Sequence, residues 1–150
     1  AGITASFAQH GASGTAAYLA DATSKPVPYV DPVNPANSVD ASSPNLSTAT
    51  IAWNDAASTE AKLEKIITQK WIAMFPDGQE AWSEFRRTGY PKLFPVVVNN
   101  SGGTIDTEKQ VKRVKFIGNE YAQNPKGVAS GVACLKGPDT GGTNLWWDVD

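Results

Sequence analysis

Lys62-Leu63-Glu64-Lys65-Ile66-Ile67-Thr68-Gln69-Lys70-Trp71-Ile72-Ala73, followed after a short break by Gly78-Gln79-Glu80-Ala81-Trp82-Ser83-Glu84-Phe85-Arg86-Arg87-Thr88-Gly89-Tyr90-Pro91, is the stretch that decides the fold. In its first half Leu63, Ile66, Ile67, Trp71, Met74 and Phe75 recur at steps of three and four, while Glu60, Lys62, Lys65 and Gln69 take the other faces. That spacing predicts an amphipathic helix from about Thr59 to Phe75. Ser58 or Thr59 is the expected N-cap, and Pro76 ends the helix. A second helix is expected at once, because Asp77 and Glu80 place acceptor side chains at the N-cap and N3 positions of a capping-box variant. It runs to Thr88, with Ala81, Trp82 and Phe85 on its apolar face and Glu84 three residues before Arg87. Arg86 and Arg87 lie where the helix dipole favours positive charge, Gly89 supplies the C-terminal cap, and Pro91 prevents continuation. The two helices form an antiparallel or steeply crossed pair.

Upstream, residues 2–8 are small and apolar and read as a short helix or buried strand, punctuated by Gly11 and Gly14. Residues 21–54 turn to proline, asparagine, serine and aspartate, as in Lys25-Pro26-Val27-Pro28-Tyr29 and Asp31-Pro32. Irregular segments longer than about 15 residues are uncommon in compact domains, so this one is disordered or lies across a larger body. The embedded Tyr18, Tyr29 and Trp53 favour the second reading, since disordered linkers are poor in aromatics. Downstream, residues 93–98 read as a strand, residues 99–103 as its turn, and residues 104–115 as a polar return strand. Asn124 and Pro125 then open a last short helix carrying Val128, Val132 and Leu135, which Gly137 and Pro138 stop. Trp146 and Trp147 close the chain and call for a surface to pack on, given the large apolar area of each ring. The expected class is mainly α, with a small β-hairpin and long irregular loops.

Composition narrows the function classes. With 13 basic and 15 acidic residues spread over 150, net charge −2, the chain has no basic stripe to neutralise a nucleic-acid backbone. No apolar run approaches the roughly 20 residues needed to span a bilayer, and Ala1-Gly2-Ile3-Thr4 lacks the features of a signal peptide. Cys134, the only cysteine, cannot form an internal disulfide; among Val132, Ala133 and Leu135 it reads as a small buried hydrophobe rather than a nucleophile. With His10 as the only histidine, no usual zinc set can be assembled, and Asp31, Asp40 and Asp55 are too scattered for a calcium loop. No metal or cofactor is expected.

Candidate site residues divide by context. Trp71 and Trp82 fall on helical apolar stripes, and they, with Trp146 and Trp147, read as packing residues. Trp53, Tyr18 and Tyr29 sit in loop-like sequence and are the candidate ligand platforms. Glu80 and Glu84 resemble a carboxylate pair, but on one helix they have structural employment, whereas glycosidase pairs flank a cleft at about 5–10 Å. Arg86 and Arg87 are explained by the helix terminus. Asn45-Leu46-Ser47 and Asn99-Asn100-Ser101 match a glycosylation acceptor pattern that arises often by chance.

The run from Gln69 to Pro91 resembles the C-terminal signature of SusD/RagB-type proteins. Arg113, Glu120-Tyr121-Ala122-Gln123-Asn124-Pro125 and Leu145-Trp146-Trp147-Asp148 follow in that family's order and approximate spacing, and Gly2-Ile3-Thr4-Ala5-Ser6-Phe7 resembles the segment preceding the signature. Lys115-Phe116-Ile117 departs from the usual Pro-Tyr-Pro. The resemblance implies that residues 1–150 are the C-terminal portion of a single SusD-like domain, an α-helical fold whose missing N-terminal part holds tetratricopeptide-like helix pairs. It further implies a Bacteroidetes-type outer-membrane lipoprotein at the cell surface, anchored through an N-terminal lipid absent from this chain. Such a protein binds an oligosaccharide or polysaccharide without breaking bonds and hands it to a SusC-like TonB-dependent transporter. In that family ligand contacts come largely from upstream segments. Two alternatives stay open: a carbohydrate-active enzyme, and a transporter-associated scaffold with its ligand site elsewhere.

Overall fold

The structure, a computed structural model, describes residues 1–148. It divides into two compact units, one over Ala1–Leu93 and one from Phe94 onward.

In the first unit, α1 (Gly2–Gln9) and α2 (Thr15–Ala20) pack on each other, with the Phe7 and Tyr18 rings 5.3 Å apart. Gly14, at φ +86°, takes the left-handed conformation that opens α2. The long segment that follows is irregular but ordered by its own side chains. Asp21, Asp31 and Asp40 each fold back to accept backbone N–H groups two or three residues on, at 2.7–2.9 Å. This is how a loop without a sheet satisfies its amides. An isolated antiparallel bridge between Tyr29 and Val39 and a 3₁₀ turn at Pro35–Asn37 complete it. The segment is moored to the next helix where Ser47 donates to Glu64 at 2.7 Å and the Lys65 ammonium donates to the Ala52 carbonyl.

The helix pair forms as the sequence predicts. In α3 (Thr59–Ala73), Ser58 Oγ accepts from Ala61 N–H at 3.1 Å. In α4 (Gly78–Thr88), Asp77 caps through Glu80 N–H at 3.1 Å, and Gly89, at φ +70°, closes the helix by donating to the Phe85 carbonyl. The capping box is only half made. Glu80 does not reach back to Asp77, whose N–H goes to the Met74 carbonyl; its carboxylate turns to Lys70 at 2.9 Å. Ile67, Ala81 and Phe85 are buried between these elements, with Val39 and Leu46 from the loop. The expected apolar stripe is only partly covered: Ile66 is exposed, as is Phe75, which falls beyond the helix because α3 ends at Ala73.

The second unit differs from the expected hairpin. Among the described residues no strand forms between 93 and 115. The two arms are joined by a backbone bond from Val96 N–H to the Thr107 carbonyl at 2.9 Å, and an isolated bridge joins Asp106 to Gln110. Pro95 brings no N–H, and Asn99 takes ladder positions with its side-chain amide, donating to the Ile105 carbonyl at 2.8 Å and Thr107 Oγ1 at 3.2 Å. Where the return strand was expected to end, Lys115-Phe116-Ile117 leads instead into a further helix, α5 (Gly118–Gln123), which joins α6 (Pro125–Ala133) through the Asn124 cap on Gly127 N–H. Phe116 lies against Gly131 of α6, where a Cβ would come within 2.7 Å of the ring. Val128 is the buried residue of α6. Cys134 is exposed rather than buried, because α6 ends at Ala133 and its apolar side is taken by Val128. Trp146 is 80 % exposed, so its ring is not packed within this chain.

Candidate functional site

The three candidate aromatics have three different environments: Tyr29 and Trp53 lie in irregular segments, whereas Tyr18 sits in α2 and not in a loop, because the small apolar residues around it form a helical turn. Tyr18 is half-buried: its ring meets Phe7 and its hydroxyl donates to Gln69 Oε1 at 2.8 Å, tying α2 to α3. Tyr29 is 42 % exposed on the loop held by its bridge to Val39, with Asp31 beside its hydroxyl at 3.4 Å. Trp53 is 52 % exposed, and its orientation is fixed by bonds rather than by packing. The indole Nε1–H donates to Asp55 Oδ1 at 2.8 Å; Lys62, one turn into α3, donates to the Asp55 carbonyl at 2.7 Å. The same ammonium lies 6.0 Å from the ring centroid. An Asn54 turn, closed by Ala56 N–H at 2.9 Å, completes this rigid corner. The arrangement presents an apolar face beside a carboxylate and a cation, which suits stacking on one face of a pyranose with polar groups at its rim. In the sequence Asp55 reads only as a scattered calcium ligand and Lys62 only as a polar-face residue of α3, not as partners of Trp53. Their signal is the short spacing Trp53, Asp55, N-cap Ser58, Lys62, which brings a side chain of the first helical turns back onto the preceding loop.

The Glu80 and Glu84 carboxylates both bind the Lys70 ammonium, at 2.9 and 2.6 Å, and Glu84 also receives Arg87. The Lys70 hydrogen bond is the main cause holding the Glu84 carboxyl below its ordinary range; Arg87 adds to it and burial opposes it. A glycosidase general acid needs the opposite shift. The sequence motifs at Asn45 and Asn99 are likewise employed internally: Ser47 is buried on Glu64, and Asn99 holds the 99–107 loop. Arg86 stacks over the Trp82 ring at 3.7 Å.

The second unit contains a concavity of about 600 Å³ of mixed lining, which includes Asn99, Ile105, Asp106, Lys109, Thr140 and Thr143. Its walls meet at Gly142, where a Cβ would fall 2.5 Å from Asp106 Cβ. Beneath it Asp139 gathers three donors: the Arg113 guanidinium, the Phe116 N–H at 3.1 Å and the Tyr121 hydroxyl at 2.6 Å. Burial pushes the Asp139 carboxyl up, and Tyr121 and Arg113 outweigh it, leaving it below its usual range. Among the described residues no group of three or more His, Cys, Asp or Glu side chains is placed to hold a metal ion.

The sequence profile of the family described as Susd and RagB outer membrane lipoprotein matches residues 1–148. The chain belongs to the SusD/RagB family. Its place is therefore the outer membrane. Among solved structures it is similar to a chitin-binding SusD homolog from Flavobacterium johnsoniae, with 58 % identity and a TM-score of 0.82 over 99 % of this chain and 30 % of that one. A SusD homolog from Bacteroides uniformis shares 45 % identity with a TM-score of 0.85, over 99 % of this chain and 30 % of that one. A SusD-like protein from Bacteroides thetaiotaomicron shares 40 % identity with a TM-score of 0.82, over 99 % and 31 %. The chain thus spans about 30 % of the length of these solved SusD-like proteins. No curated protein matches it.

Proposed function

We propose that this chain is the C-terminal portion of a single SusD-like domain in a non-catalytic, lipid-anchored surface protein that binds a glycan and delivers it to a SusC-like TonB-dependent transporter. The observation that carries the reading is the 58 % identity, over nearly the whole chain, to a chitin-binding relative. A chitin-type oligosaccharide is accordingly the first ligand to test. Within these residues Trp53 and Tyr29 are the platforms, because both rings are exposed while their positions are fixed, by Asp55 for Trp53 and by the Val39 bridge for Tyr29. Tyr18 is occupied by Gln69 and Phe7 and ties α2 to α3 instead of offering a platform. Binding would proceed by stacking of the apolar face of a sugar ring on the indole, which needs no proton transfer and no bond cleavage.

Titration of the full protein with chitin oligosaccharides, alongside Trp53→Ala, tests this. The expected outcome is saturable binding that the substitution weakens about tenfold, the equivalent of about 1.4 kcal/mol. An unaltered affinity in the variant would remove Trp53 from the site, and an absence of binding to any glycan would remove the function.

A further inference from the structure

The corner that fixes Trp53 also places a cation where it can read a substituent of a sugar lying on the ring. Lys62 Nζ lies over the indole ring, 6.0 Å from its centroid, within reach of a substituent carried by a sugar that shares that face. One of its three N–H donors is committed, to the Asp55 carbonyl at 2.7 Å. The Asp55 carboxylate is turned the other way, accepting from the indole Nε1–H at 2.8 Å. The remaining donors therefore sit over the ring of a residue that is 52 % exposed, on a turn held by three hydrogen bonds. A sugar hydroxyl can accept from this ammonium too, but an acyl carbonyl is the stronger acceptor and gains the better charge-assisted hydrogen bond.

We propose that Lys62 is a specificity-determining residue that selects N-acylated sugars by donating to the acetamido carbonyl of the residue stacked on Trp53. This rests on the glycan-binding reading above and adds to it the part of the sugar that is recognised. A protonated amino sugar, which presents an ammonium in place of the acetamide, is repelled by the same cation.

The test uses the full protein and three matched ligands: an N-acetylglucosamine oligomer, its de-N-acetylated counterpart and a glucose oligomer of the same linkage. Lys62→Gln is expected to weaken binding of the N-acetylated oligomer roughly three- to tenfold. It should narrow the preference over the other two, and Lys62→Arg should restore most of both. The Nε1–H resonance of Trp53, assigned by its loss in Trp53→Phe, should stay in place in Lys62→Gln, showing that Asp55 still holds the ring. If that resonance moves and all ligands weaken together, Lys62 merely braces the turn and the inference is overturned. It is equally overturned if Lys62→Gln binds the N-acetylated oligomer as tightly as the parent does. If the parent protein binds other glycans but none that is N-acylated, the selectivity fails while the glycan-binding reading survives; if it binds none of any kind, both fall.

Discussion

Glu84 shows how a charge that looks catalytic in the sequence is made structural by its partners. The carboxylate is buried against α3 and shared between Lys70 and Arg87. Its pKa is lowered on folding, so its contribution to stability is present above the ordinary carboxylate range and is lost as pH falls through the lowered folded value. Lys70, with its pKa raised by Glu84 and Glu80, contributes below its ordinary pKa as long as those carboxylates stay ionised, and loses the contribution at the alkaline end as pH rises through the raised value. Replacing Glu84 by Gln should therefore destabilise the protein by about 1–2 kcal/mol at neutral pH. The difference should shrink as pH falls through the lowered folded value, where the parent's carboxylate also takes up a proton. Melts at several pH values would check this; a difference that does not change with pH would contradict it. A buried apolar anchor behaves otherwise: Ile67, 3 % exposed, should cost about 2–5 kcal/mol on truncation to Ala, with no pH dependence.

Elements were legible in the sequence wherever a cap and a period agreed. α3, α4 and α6 carry Ser58, Asp77 and Asn124 at their N-caps, and each side chain makes the expected bond. Gly89 closes α4 in the left-handed conformation, so Gly89→Ala should cost about 1–2 kcal/mol, and Ser58→Ala about 1 kcal/mol, both read from thermal unfolding. A null effect of Gly89→Ala would mean that α4 does not end as described. α5 was not legible: it is six residues long, has no side-chain cap, and draws support from a distant partner, the bond from Tyr121 to Asp139. The hairpin was misread for a related reason. Its apolar run 93–98 has strand composition, but Pro95 and the Asn99 amide divert the backbone groups that a ladder requires. Of the candidate site, the exposed aromatics could be picked out by their loop context, but the Asp55 and Lys62 partners required the three-dimensional return of α3 onto the preceding turn.

At the scale of the whole molecule, two features stand together: the chain spans about 30 % of its solved relatives, and large apolar side chains such as Val33, Phe75 and Trp146 remain exposed on it. The family explains the sequence signature, and in the function proposed above the aromatic corner at Trp53 is its route to a sugar. The central claim is binding without cleavage. Its most direct test is calorimetric titration of the full protein with chitin oligosaccharides, with reducing ends assayed in the same samples after prolonged incubation. The account predicts saturable binding and a constant count of reducing ends. Accumulating reducing ends, or no heat of binding with any glycan, would contradict it.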